Sequence, residues 1–169
     1  MRHAWNATIV LALQVAFAAP ALADALPNGA QTPGALNPQV TQGAIGSTIW
    51  KRAWLDTAQP SRAYLDAIKR QQLSRGPYAV PHARLQDYEE DHRVHIALGG
   101  TPWWSINLWP QPKAEARHKD ELEKRLHHRV CAHEMSLQDA QAVFLGNWLA
   151  DSGAARPPRA GGADPGKRR

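Results

Sequence analysis

The chain has 169 residues, with 20 Lys and Arg against 15 Asp and Glu, a formal net charge of +5 and a single cysteine. That length accommodates one modest domain with tails rather than two independent cores. One cysteine excludes an internal disulfide, a cysteine-based zinc site and a CxxC redox centre.

The first segment, "MRHAWNATIVLALQVAFAAPALA", has a basic start (Arg2, His3), an apolar run over residues 9–19 and a small-x-small end at Ala21-Leu22-Ala23. It reads as a signal peptide over residues 1–23, cleaved after Ala23, so the expected destination is the periplasm or the extracellular space. The apolar run is too short and too alanine-rich for a permanent span, and no membrane span is expected later. Residues 24–40, rich in Pro, Gly, Asn and Gln without apolar periodicity, read as an irregular arm.

Residues 41–151 carry the periodic segments and are expected to form a small α+β domain. Residues 48–50 are a strand candidate. "PSRAYLDAIKRQQLSRG" starts after a proline, ends at Gly76 and places Tyr64, Leu65, Ile68 and Leu73 on one helix face. Two prolines mark the following stretch as a loop, and strands are predicted over residues 93–98 and 106–109, the second closed by Pro110 and Pro112. A helix over residues 114–131 has Leu122, Leu126 and Val130 at spacing four. Another starts at Ser136, whose hydroxyl can cap its free amides, with Ala140, Val143, Phe144 and Trp148 as its apolar stripe. Cys131, alone, reads as a small buried residue or a free thiol. Residues 152–169 hold Arg156, Arg159, Lys167, Arg168 and Arg169 against Asp164, which puts +4 of the charge in a tail whose composition predicts disorder. Such a tail adds non-specific affinity for polyanions or serves only as a solubilising segment.

The stretch "YEEDHRVHIALGG", residues 88–100, sets three acids against a histidine in a basic chain. Like charges so close are unfavourable unless solvated or neutralised by a cation. The expected order around them is strand, glycine-bearing loop, strand, helix. Asp91 and His92 precede the first strand, Asn107 lies at the second and His118 falls early in the helix.

"EDHRVHIALGG", followed by "NLWPQP" and "EARHKDELE", resembles the HNH, or ββα-metal, nuclease motif, and the wider pattern is similar to a group of small exported bacterial proteins with an HNH-like core. The resemblance implies a ββα-metal core with flanking helices, and an exported metal-dependent endonuclease of weak sequence preference acting on DNA and possibly RNA. It implies His92 as general base and Asp91, Asn107 and His118 as metal ligands. The cofactor implied is a divalent ion, Mg²⁺ first, with Mn²⁺, Ni²⁺ or Zn²⁺ as alternatives. The partner implied is a nucleic acid substrate bound by a monomer, with an inhibitor protein left open. The chemistry suits the residue types: a neutral imidazole can take a proton from water, and a hard cation prefers carboxylate and amide oxygens. His95 stands where related proteins have proline, Trp103-Trp104 where small polar residues are common, and Trp50 where relatives carry a cysteine able to pair with the counterpart of Cys131.

Each residue also has a plain structural reading. Asn107 can bond its own loop backbone, and His118 can be a solvated helix residue. His95 reads as a surface histidine facing away from His92, and Glu89 and Glu90 as outer-shell or solvated acids. Lys119, Asp120, Glu121, Glu123 and Lys124 read as helix-surface pairs. Trp103, Trp104 and Trp109 read as hairpin core or, more sharply, as a base-stacking platform. Two other classes of function remain open: a non-catalytic envelope or secreted protein that keeps the fold to bind nucleic acid or protein, and a metal-binding module without hydrolytic activity.

Overall fold

A computed structural model describes residues 26–151. The segments expected to be a signal peptide and a disordered tail lie outside them.

The arm is irregular, as its composition predicts, yet it is tied to the body. Thr32 is buried, with its hydroxyl against Tyr78 Oη at 2.8 Å and Leu108 O at 3.3 Å, and Leu36 bridges Gly100. Residues 48–50 are not a strand. The backbone curls into a 3₁₀ turn, Gln42–Ser47, and Thr48 closes it through both its amide (3.0 Å) and its hydroxyl (2.7 Å) to Ala44 O. Buried Ile49 satisfies the apolar pattern without a strand partner. A short helix that the sequence did not announce, α1 (Arg52–Ala58), follows and stops before Pro60. Helix α2 (Arg62–Ser74) starts where Ser61 Oγ accepts the Tyr64 amide at 3.2 Å.

The two strands are β1 (Tyr88–His92) and β2 (Leu108–Pro112), antiparallel, with Asp91 opposite Trp109 and His92 opposite Leu108. β1 thus lies five residues earlier than predicted. The alternation of Val94, Ile96 and Leu98 looks like a strand, and all three are buried, but their backbone turns through a 3₁₀ helix, Ile96–Leu98. The acid run is what pairs. Alternation along β1 sends Glu90 and Asp91 to opposite faces of the sheet. Pro110 and Pro112 belong to β2 rather than closing it; in a two-stranded sheet both strands are edges, where proline is tolerated.

Helix α3 (Lys113–Cys131) follows β2 directly. Its row of Leu122, Leu126 and Val130 is buried as predicted, in a core with Ile49, Val94, Leu98, Trp109, Phe144 and Trp148. Each such aliphatic side chain contributes roughly 1.5–3 kcal/mol by leaving water. Helix α4 (Leu137–Leu145) opens on the expected cap, with Ser136 Oγ accepting the Asp139 amide at 3.0 Å, and α5 (Trp148–Asp151) closes the described chain. Arg93, just past β1, donates to Phe144 O (3.0 Å) and Leu145 O (2.5 Å) at the end of α4 and to Thr32 O (2.6 Å) in the arm. A cation on the carbonyl end of a helix is favourable, and this one locks the hairpin end to two other segments. The architecture is α+β. Among the described residues no helix is long and apolar enough to cross a membrane.

Candidate active site at the hairpin end

Asp91 and His92 are the last two residues of β1, rather than preceding a strand. The loop between the strands is stapled by Asn107, which is fully buried. Its Oδ1 accepts the amides of Val94 (3.0 Å) and Ala35 (3.4 Å), and its Nδ2 donates to Val94 O (3.0 Å) and Thr101 O (2.9 Å). Gly100 is required for this crossing, because a Cβ there would come within 1.7 Å of Val94 O. The carboxamide expected to face a metal is therefore engaged with backbone on both its oxygen and its nitrogen.

His92 is buried, and its Nε2 lies 2.9 Å from Pro102 O. A carbonyl can only accept, so Nε2 carries the proton and Nδ1 keeps its lone pair. Burial lowers the His92 pKa below the ordinary histidine value, and the Pro102 carbonyl offsets part of that shift. At neutral pH the ring is thus an uncharged base with a fixed tautomer. His95 is not a surface residue turned away from His92. It is half-buried, its ring centroid is 6.4 Å from that of His92, its Nδ1 accepts the Ala97 amide at 3.1 Å, and burial drives its pKa down to about 4.

The cation beside Asp91 is an ammonium. Lys119 is fully buried, and its Nζ donates to Asp91 Oδ2 (2.6 Å), to His92 O (2.7 Å) and to Glu123 Oε1. Three acceptors use all three of its protons. Burial alone would raise the Asp91 pKa, but the Lys119 ammonium overrides it and holds the carboxyl below its usual range. Burial opposes charge on Lys119 too, and Asp91 and Glu123 outweigh it, so its pKa is raised. Glu123 goes the other way: burial pushes it up to about 8 despite the lysine. Phe144 and Trp148 cover the cluster, with ring centroids 5.5 and 5.8 Å from Nζ.

Lys119 and Glu123, read from sequence as surface pairs, are therefore the buried polar centre of α3. Their spacing could have revealed them, because Ala116, Lys119, Leu122, Glu123 and Leu126 share the helix face that carries the apolar row. His118, one residue earlier, points elsewhere: it is exposed and makes no hydrogen bond to Asp91 or His92. The other acids are not solvated outer-shell groups. Glu89 is half-buried, and burial raises its pKa. Glu90 is buried, neither of its carboxyl oxygens has a hydrogen-bond partner among the described residues, and burial with Asp91 nearby pushes it up to about 9. The acid run is tolerated because Asp91 is paired and Glu90 stays protonated.

Among the described residues no group of three or more His, Cys, Asp or Glu side chains is placed to hold a metal ion. The donor available is Asp91 Oδ1, which takes none of the lysine bonds, on a side chain 13% exposed. A single carboxylate oxygen is of the hard donor type that a hydrated Mg²⁺ takes, with waters completing its shell. It does not make a closed tetrahedral zinc set. Compared with known proteins, the chain matches no family model, no curated protein and no solved structure.

Proposed function

We propose that this chain is an exported phosphodiester hydrolase of the HNH-like, ββα-metal kind, acting on nucleic acid with His92 as general base. The observation that carries the reading is the His92–Pro102 bond at 2.9 Å, which puts the proton of a neutral imidazole on Nε2 and leaves the Nδ1 lone pair to act as a base, on the residue that follows Asp91. Phosphodiester hydrolysis needs a water deprotonated for in-line attack and positive charge at the phosphate. His92 would take the water's proton on Nδ1, and the positive charge spreading over the ring would be stabilised by the Pro102 carbonyl and the Asp91 carboxylate. Asp91 would hold a hydrated divalent ion through Oδ1, and such an ion neutralises charge on the scissile phosphate and leaving oxygen. Lys119 fixes Asp91 and the His92 carbonyl from behind. In this reading Asn107 positions the loop and His118 lies on the exposed side of α3, so both act outside the ion's protein ligands.

A second reading is favoured by one observation. Lys119 already neutralises Asp91, which suits a non-catalytic exported protein that keeps the fold as a binding scaffold. Incubating the purified chain with plasmid DNA, single-stranded DNA and RNA, in Mg²⁺, Mn²⁺, Ni²⁺ or Zn²⁺ against EDTA, separates the two. The hydrolase reading expects cleavage with a divalent ion, lost in EDTA and reduced in Asp91→Asn. No cleavage with any ion leaves the scaffold reading.

A further inference from the structure

The hairpin loop carries two large aromatic side chains that the core does not use. Trp109 is 2% exposed and belongs to the core, but Trp103 and Trp104 are 47% and 58% exposed, with Ile106 beside them at 41%. Adjacent exposed tryptophans are costly on a free surface and mark a place where something docks.

The backbone beneath them is held at successive residues. Thr101 N donates to Ala35 O at 2.9 Å, Pro102 O lies 2.9 Å from His92 Nε2, Tyr64 Oη donates to Trp103 O at 2.5 Å, and Asn107 N donates to Trp104 O at 2.8 Å. The Tyr64 ring also meets the Trp103 indole edge-on, at 5.3 Å between centroids and 63° between planes. The two indoles therefore stand on an anchored base, and binding to them requires little ordering of the loop. Trp103 directly follows Pro102, whose carbonyl lies 2.9 Å from His92 Nε2, so the loop that carries the indoles also holds the proposed base.

We propose that Trp103 and Trp104 form a stacking platform for unpaired nucleobases, which makes single-stranded nucleic acid the preferred substrate class of the site. The proposal rests on the hydrolase reading for the word substrate, and on the loop geometry alone for the binding. In a duplex the base faces are already stacked on one another; in a single strand they are free for an indole.

The test measures binding and hydrolysis separately. Anisotropy of a labelled oligothymidylate is followed in EDTA for the full chain, Trp104→Ala, Trp103→Ala and Trp103→Ala/Trp104→Ala, with a duplex of the same length as control. Trp104→Ala carries the result if Trp103→Ala loosens the fold, because Trp104 makes no ring contact with Tyr64. Stacking on one indole changes single-strand affinity by about five- to hundredfold, so Trp104→Ala should lose that factor, while duplex binding moves little. Hydrolysis of bis(p-nitrophenyl) phosphate, which has no base to stack, should be unchanged in Trp104→Ala. A wild type inactive on that ester would overturn the hydrolase reading and leave the platform standing. Single-strand affinity unchanged in folded Trp104→Ala overturns the platform. So does self-association of the wild type that Trp104→Ala abolishes without affecting oligothymidylate binding, since the occupant is then a second copy.

Discussion

The ammonium of Lys119 lies 2.6 Å from Oδ2 of Asp91, on a lysine side chain with no solvent exposure at all. A residue from the middle of α3 thus neutralises the end of β1, and its remaining protons go to His92 O and Glu123. The proposed base and the proposed ion-binding carboxylate are held from behind by one side chain.

Removing that ammonium leaves Asp91 buried without its counter-charge. Lys119→Met should lower stability by about 3–5 kcal/mol, measured by urea unfolding. Adding Asp91→Asn should restore part of the loss, because the uncompensated anion is then gone. Equal losses in the single and double variants would place the effect in packing against Phe144 and Trp148 instead.

Glu90 and His95 are both uncharged in the folded protein, and their effects on stability run in opposite directions with pH. Glu90 has its pKa raised to about 9, so between the ordinary carboxylate value and that point the folded state holds a proton that the unfolded state has released. Its contribution is full at low pH and is lost as pH rises through that window. His95 has its pKa lowered to about 4, so between the ordinary histidine value and that point the unfolded state holds the extra proton, and stability falls as pH drops. Glu90→Gln should therefore stabilise the protein at neutral and alkaline pH, by roughly 1–3 kcal/mol, and flatten the alkaline side of the melting-temperature profile. A variant that melts lower than wild type at pH 9 would contradict the buried, protonated assignment.

Asn107 makes four backbone contacts, three in the loop and one to Ala35 in the arm, so Asn107→Ala should cost about 3–5 kcal/mol, with the same loss in EDTA as in Mg²⁺. Thermal melts in the two conditions check this. A loss confined to the metal-loaded protein would instead make Asn107 a ligand.

Much of the scaffold was legible because it follows local rules. The Ser136 cap, the Leu122-Leu126-Val130 row and the proline before α2 each specify a helix without tertiary help. The strands were displaced because Val94, Ile96 and Leu98 have a strand's alternation and are buried, yet the Asn107 side chain takes both the amide and the carbonyl of Val94, bonds a partner strand would have supplied, and the chain beyond turns as a 3₁₀ helix. The acid run, low in β-propensity, pairs only because Lys119 and burial remove its charges. Lys119 itself was hidden by its type: a lysine on an apolar helix face reads as surface until the Asp91 carboxylate it meets, from another element, is known.

The most direct measurement is the single-turnover cleavage rate of wild type and His92→Ala in Mg²⁺ as a function of pH. Wild type should rise with pH, with a midpoint below the ordinary histidine value of about 6.5 because burial depresses the His92 pKa, and then level off. His92→Ala should lose about a hundred- to ten-thousandfold in rate while still binding the substrate. A folded His92→Ala protein that cleaves at the wild-type rate, free of contaminating nuclease, would contradict the assignment of the general base.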